Sequence, residues 1–231
     1  NSAFASCAKL TSVGIGNSVT EIGRNAFNGC GSLTSIVIPD SVTNIGDSAF
    51  ASCTNLTSVE IGNSVKIIGR KAFYDCDSLA IVEVPKSLTR IFRSAFYDCD
   101  GLKKFEIPDS VTIIGDSAFA SCANLTSVRI GNSVTQIGRN AFYDCGSLIS
   151  VEIPDSVKDI GDLAFASCKN LSSITIGKSV TSVGDSAFRF CDKLESITVD
   201  NNNQYFSSDE FGALYNKNKT ILIQFPSGNK A

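Results

Sequence analysis

The sequence predicts a repeat solenoid: short strands stacked rung on rung around one apolar core. Three observations lead there. The nine cysteines fall at 7, 30, 53, 76, 99, 122, 145, 168 and 191, so every interval is 23 residues. Each closes the string Ala-Phe-x-x-Cys, from Ala3-Phe4 to Ala187-Phe188. Each is followed three residues later by a leucine, from Leu10 to Leu194, and then by two apolar residues two apart, aliphatic throughout except Phe105. A fixed period of about 20–50 residues marks stacked units, none of which buries its own apolar face alone.

The unit reads L-x-x-[IV]-x-I-[GP]-x-S-V-x-x-I-G-x-x-A-F-x-x-C-x-x, and each part predicts an element. In [IV]-x-I the apolar residues alternate with period two, the pattern of a strand with one buried face. Gly or Pro ends it, and Pro39, Pro85, Pro108 and Pro154 all stand at this position. Ser-Val-x-x-Ile-Gly reads as a second short extended segment, turned by its glycine. Ala, Phe and Cys at relative positions 0, 1 and 4 share a helical face, so this stretch reads as one short helical turn. Asp47, Asp116, Asp162 and Asp185 are placed to cap it.

Length, composition and charge narrow the function. The chain has 231 residues, 43% of them hydrophobic, which supports a sizeable core. A net charge of −3 argues against nucleic-acid binding. No histidine is present, which removes Ser-His-Asp and Cys-His nucleophile systems and every His-ligated metal site. No apolar run approaches the roughly 18 residues a membrane helix needs, so no membrane insertion is expected. No methionine is present and the chain opens Asn1-Ser2-Ala3-Phe4, which reads as a processed or excised fragment.

The repeat resembles that of the BspA-like (Treponema pallidum type) leucine-rich-repeat surface proteins. The motif recurs nine times over residues 1–199. The resemblance implies an α/β-type, right-handed, curved leucine-rich-repeat solenoid of 23-residue units. Its parallel sheet lies on the concave side, with short helical turns elsewhere. Residues 200–231 break the period and are similar to a non-repeat segment between repeat blocks. Ala213-Leu214-Tyr215 and Thr220–Phe225 read as the strands of a hairpin that covers the last rung or leads to further repeats.

Two kinds of unit mostly alternate. One reads Gly-Asn-Ser-Val…Gly-Arg, the other Pro-Asp-Ser-Val…Gly-Asp. The column after the turn glycine therefore runs Arg24, Asp47, Arg70, Arg93, Asp116, Arg139, Asp162, Asp185. Rungs about 5 Å apart allow an ion-pair ladder, worth only about 0–1 kcal/mol per exposed pair. Phe92 takes the turn-glycine position of its unit, which predicts a distortion over residues 88–96.

The cysteines are expected to be buried, reduced core residues. Stacked side chains point the same way, whereas a disulfide needs them to converge. No Cys-x-x-Cys pair exists. Asp98-Cys99-Asp100-Gly101 starts like a calcium loop but lacks the remaining ligands. Carboxylate pairs such as Glu60 and Glu83 could meet a glycosidase spacing, but a flat repeating face offers no pocket to raise a pKa. The chain is read as no enzyme, with no cofactor, no metal and no catalytic residues.

The outward strand positions form the candidate binding surface. Between the paired aliphatics stand Gly14, Val37, Glu60, Glu83, Glu106, Arg129, Glu152, Thr175 and Thr198. Just before each pair stands Ser, except Ile81 and Lys104. Glu60, Glu83, Glu106, Arg129, Glu152 and Lys104 are the expected contact residues. Such a stripe suits a basic protein segment or a cation, and it serves equally as a solvated face that blocks edge aggregation. The resemblance implies a cell-surface or secreted adhesin-like module with a protein ligand, extracellular-matrix proteins such as fibronectin or fibrinogen included. The alternative is a structural spacer presenting a distal domain.

Overall fold

The computed structural model describes residues 1–229. It is a parallel β-solenoid. The long strands are β2 (Ser35–Ile38), β4 (Ser58–Ile61), β6 (Ile81–Glu83), β8 (Lys104–Glu106), β10 (Ser127–Arg129), β12 (Ser150–Ile153), β14 (Ser173–Ile176) and β16 (Ser196–Val199). Two-residue strands alternate with them: β1 (Glu21–Ile22), β3 (Asn44–Ile45), β5 (Ile67–Ile68), β7 (Arg90–Ile91), β9 (Ile113–Ile114), β11 (Gln136–Ile137), β13 (Asp159–Ile160) and β15 (Ser182–Val183). The short strands form one unbroken sheet of eight, whereas the long strands split into β2-β4-β6 and β8-β10-β12-β14-β16.

The expected short helical turns are absent; none of the described residues is helical. Ala-Phe-x-x-Cys instead forms consecutive turns. Ala26 N–H donates to the Gly23 carbonyl and Cys30 N–H to that of Phe27, while Asn25, Phe27 and Gly29 donate to the next rung. Each rung has two left-handed positions, such as Asn25 (φ 54°) and Gly29 (φ 72°). A third turn residue with positive φ is the type II turn signature. This course saturates the backbone between rungs, which an isolated helical turn would not do.

The core is columnar. Phe27 and Phe50 stack with centroids 5.2 Å apart, and the column continues to Phe188. Eight cysteines, Cys30 to Cys191, are buried and free, while Cys7 on the first rung is exposed. Each buried thiol donates to a phenylalanine carbonyl of the preceding unit, as Cys53 does to Phe27 at 3.2 Å. Burial pushes the Cys53, Cys122 and Cys191 thiols up to about 12.

Three of the four aspartates, Asp47, Asp116 and Asp162, cap backbone and not a helix. The Asp47 carboxylate accepts from the Arg70 amide at 2.8 Å, Asp116 from Arg139 at 3.0 Å and Asp162 from Asp185 at 2.9 Å. The expected Arg–Asp side-chain ladder does not form. Among the described residues, side-chain ion pairs join only Arg129 to Asp109 and Lys178 to Asp155. A carboxylate on a short stem meets the fixed amide of the next rung, while the long arginine side chain keeps its freedom in solvent.

Nor is the chain distorted at Phe92. The glycine column donates across rungs at 2.7–2.9 Å, and Phe92 N–H keeps that bond to Ile68 at 3.1 Å. The interruption lies on the other sheet.

Beyond the repeats, β17 (Phe206–Ser208), β18 (Leu214–Asn216) and β19 (Leu222–Gln224) form an antiparallel sheet of three. Asn203 fixes its start. Its fully buried amide donates to the carbonyls of Gly177 and Val180 and accepts from the Tyr205 and Phe206 amides. Ile197 N–H donates to Gly212, which joins β16 to the tail.

Candidate functional site

The outward face of the long-strand sheet is built by period-two alternation: β12 reads exposed, buried, exposed, buried. Glu60 lies in direct register with Glu83, Arg129 with Glu106, and Glu152 with Thr175. Lys104 pairs in register with Ser127. All six expected contact residues are solvent-exposed. Arg129 does not neutralise Glu106. It turns to Asp109 at 2.8 Å and to the Ile107 carbonyl at 3.3 Å. The Asn132 amide and then Arg129 hold the Asp109 carboxyl below the usual carboxylate range.

What sets the sheet's continuity is the Gly/Pro column. A Cβ at Gly62 would fall 2.5 Å from the Pro39 carbonyl, and one at Gly131 2.2 Å from the Pro108 oxygen. Glycine after proline therefore brings the backbones together. The following amide then donates to the proline rung's aspartate, as Asn63 does to Asp40 at 2.6 Å and Asn132 to Asp109 at 2.9 Å. The Pro-to-Gly steps β2–β4, β8–β10 and β12–β14 register four, three and four residues. The Gly-to-Pro steps β4–β6 and β10–β12 register three and one.

Pro85 and Pro108 are the one pair of prolines on adjacent rungs, and there the ladder opens. Among the described residues, no backbone hydrogen bond joins 80–84 to 103–107. A proline ring cannot take glycine's close approach and brings no N–H. Phe105 adds bulk. It fills a column otherwise held by Val or Ile and packs at 5.0 Å on Phe96 and 4.7 Å on Phe119.

A hollow of about 720 Å³ lies over this break, bordered by Val82, Val84, Lys86, Pro108 and Asp109 together with the expected Glu83, Lys104, Glu106 and Arg129. Val82 and Val84 are only partly buried, while the matching Val59 and Ile61 lie in the core. The stripe was legible in the sequence, but the hollow was not, although two successive proline units signalled it. On the turn side, burial and neighbouring acids push the Asp77 and Asp98 carboxyls up. Among the described residues, no group of three or more His, Cys, Asp or Glu is placed to hold a metal. Among the described residues, no helix is long and apolar enough to cross a membrane.

Comparison with known proteins supplies the family. The model described as the BspA type leucine-rich repeat region (6 copies) matches residues 1–103 and 90–218. The chain belongs to the BspA-type leucine-rich-repeat family. A leucine-rich cell surface protein of Faecalibacterium prausnitzii is 31% identical with a TM-score of 0.69; the match covers 96% of this chain and 54% of that one. The T. pallidum leucine-rich-repeat protein is 33% identical with a TM-score of 0.68, covering 81% of this chain and 89% of that one. The pneumococcal vaccine antigen PcpA is 25% identical with a TM-score of 0.52, covering 96% and 46%. This BspA-type chain thus spans about half the length of the Faecalibacterium protein. No curated protein matches it.

Proposed function

We propose that this BspA-type chain is a non-enzymatic protein-binding module of a cell-surface or secreted protein, and that it binds through the outward face of the long-strand sheet. The carrying observation is the stacked stripe itself. Glu60, Glu83 and Glu106 stand exposed on three successive rungs, with Lys104 beside Glu106 and Glu152 two rungs further on, and among the described residues none of these side chains makes an ion pair or hydrogen bond. Rungs about 5 Å apart present such groups as a regular array, and a solenoid offers many weak contacts along one face. Like charges in direct register, as at Glu60 and Glu83, disfavour each other, and a basic partner relieves that. The surface location is supported by the Faecalibacterium relative, a cell surface protein by description.

The test is saturable binding to immobilised fibronectin, fibrinogen and host-cell extract at low and high salt. The reading expects a saturable signal that weakens with salt and is lost in the Glu60→Gln/Glu83→Gln/Glu106→Gln variant. Absence of any saturable partner favours the spacer.

A further inference from the structure

We infer that the break between β6 and β8 is a docking slot for a short extended peptide segment of a partner protein, carrying a lysine or arginine between branched apolar residues. The inference rests on the protein-binding reading and names the place and chemistry of contact.

Three features converge there. The first is backbone. β6 ends one sheet and β8 begins the next, so two strand edges face each other without a shared hydrogen bond. Unpaired edges are templates for an added extended chain. The second is apolar surface. Val82 and Val84, core residues by their place in the repeat, are partly exposed at the break, and Ile81 beside them is 58% exposed. Their hollow of about 720 Å³ falls within the size range of small-ligand pockets.

The third is charge. Glu83 and Glu106 face the hollow with no partner, and Glu60 stands in register behind Glu83. Arg129 is engaged by Asp109, and Lys86 adds its charge to the same carboxylate. Among the described residues Lys86 makes no ion pair of its own, so Lys86 and Lys104 stand against Glu83, Glu106 and, behind them, Glu60. A cationic side chain between Glu83 and Glu106, with branched neighbours over Val82 and Val84, satisfies what the break leaves open.

The probes are two capped pentapeptides, Ser-Val-Lys-Val-Ser and Ser-Val-Glu-Val-Ser, with spermidine as a bare cation. Each is titrated into the whole chain while backbone amide shifts are followed. The expected result is saturable shifts confined to residues 80–86 and 103–110 for the lysine peptide. The glutamate peptide binds at least about tenfold more weakly, as does the lysine peptide to Glu83→Gln/Glu106→Gln. Pro108→Gly, which restores glycine after Pro85, weakens binding similarly while leaving thermal unfolding intact. Shifts spread along the whole face overturn the slot, as does spermidine matching the peptide, or Pro108→Gly binding as well as the parent. If the peptides fail while an immobilised protein still binds the face, only the slot falls; if both fail, the protein-binding reading falls with it.

Discussion

Gly131 lies so close to Pro108 on the preceding rung that a Cβ would stand 2.2 Å from the proline oxygen. The contact is with rigid backbone, so a side chain has nowhere to go. Gly131→Ala is expected to cost about 2–3 kcal/mol. Gly146, with nothing within 4 Å of a built Cβ, is the control, and Gly146→Ala leaves stability nearly unchanged. Denaturant melts of the two variants check this.

The aspartate caps make a contrasting prediction about charge. Asp47 accepts from the Arg70 backbone amide, so Asp47→Ala loses about 1 kcal/mol, as at other capped amides. Asp47→Asn keeps an acceptor and recovers most of it. Arg70→Ala removes no cap and changes little. A side-chain ladder would instead make the Asp47 and Arg70 losses alike, and both would shrink in high salt.

Leu163 sits at a left-handed position with φ 56°, where Asn25 and Asn140 stand in other rungs. A left-handed leucine costs about 1–2 kcal/mol, and asparagine tolerates the region. Leu163→Asn is expected to raise the Tm, with a gain of about 0.5–1 kcal/mol. An unchanged or lower Tm contradicts it.

The thiols predict reactivity and alkaline behaviour together. Eight are buried and Cys7 is exposed, so a thiol reagent titrates Cys7 quickly in the native protein and the rest only after unfolding. Burial raises Cys53, Cys122 and Cys191 to about 12, from an ordinary 9.0. The unfolded state therefore loses these protons first, and the native state binds more of them between the two values. Stability is full below about pH 9 and falls as pH rises towards 12. Cys122→Ala and Cys122→Ser each remove one titrating thiol and so reduce the slope.

Much of this was legible in the sequence because spacing dictates it. The 23-residue period fixed which residues stack, and alternation in Ser-Val-Glu-Ile fixed which of them face water, as Glu152 and Val151 do. Ala-Phe-x-x-Cys misled because positions 0, 1 and 4 fit either a helical face or two tight turns. The deciding signal was Asn, Ser, Asp or Gly before Ala and before Cys in most units, short or flexible residues that suit a turn, with Lys71, Leu163 and Phe190 obscuring it. The charge column suggested ion pairs because letters do not show that a backbone amide lies nearer than an arginine head. Phe92 looked disruptive as a single substitution, yet its side chain finds room while its amide keeps the ladder. Pro108 looked ordinary in its own unit, and matters only because Pro85 precedes it.

The central claim is that adjacent prolines open the long-strand sheet between β6 and β8 while the short-strand sheet runs on. Residue-resolved amide hydrogen exchange tests it most directly. The account predicts slow exchange through β4, β14 and the continuous β7–β9 step, and at Ala80 and Ile107, whose amides bond to Thr57 and Arg129, with faster exchange at Lys103 and Lys104, whose amides face the break. Uniformly slow exchange along the whole long-strand sheet would contradict it.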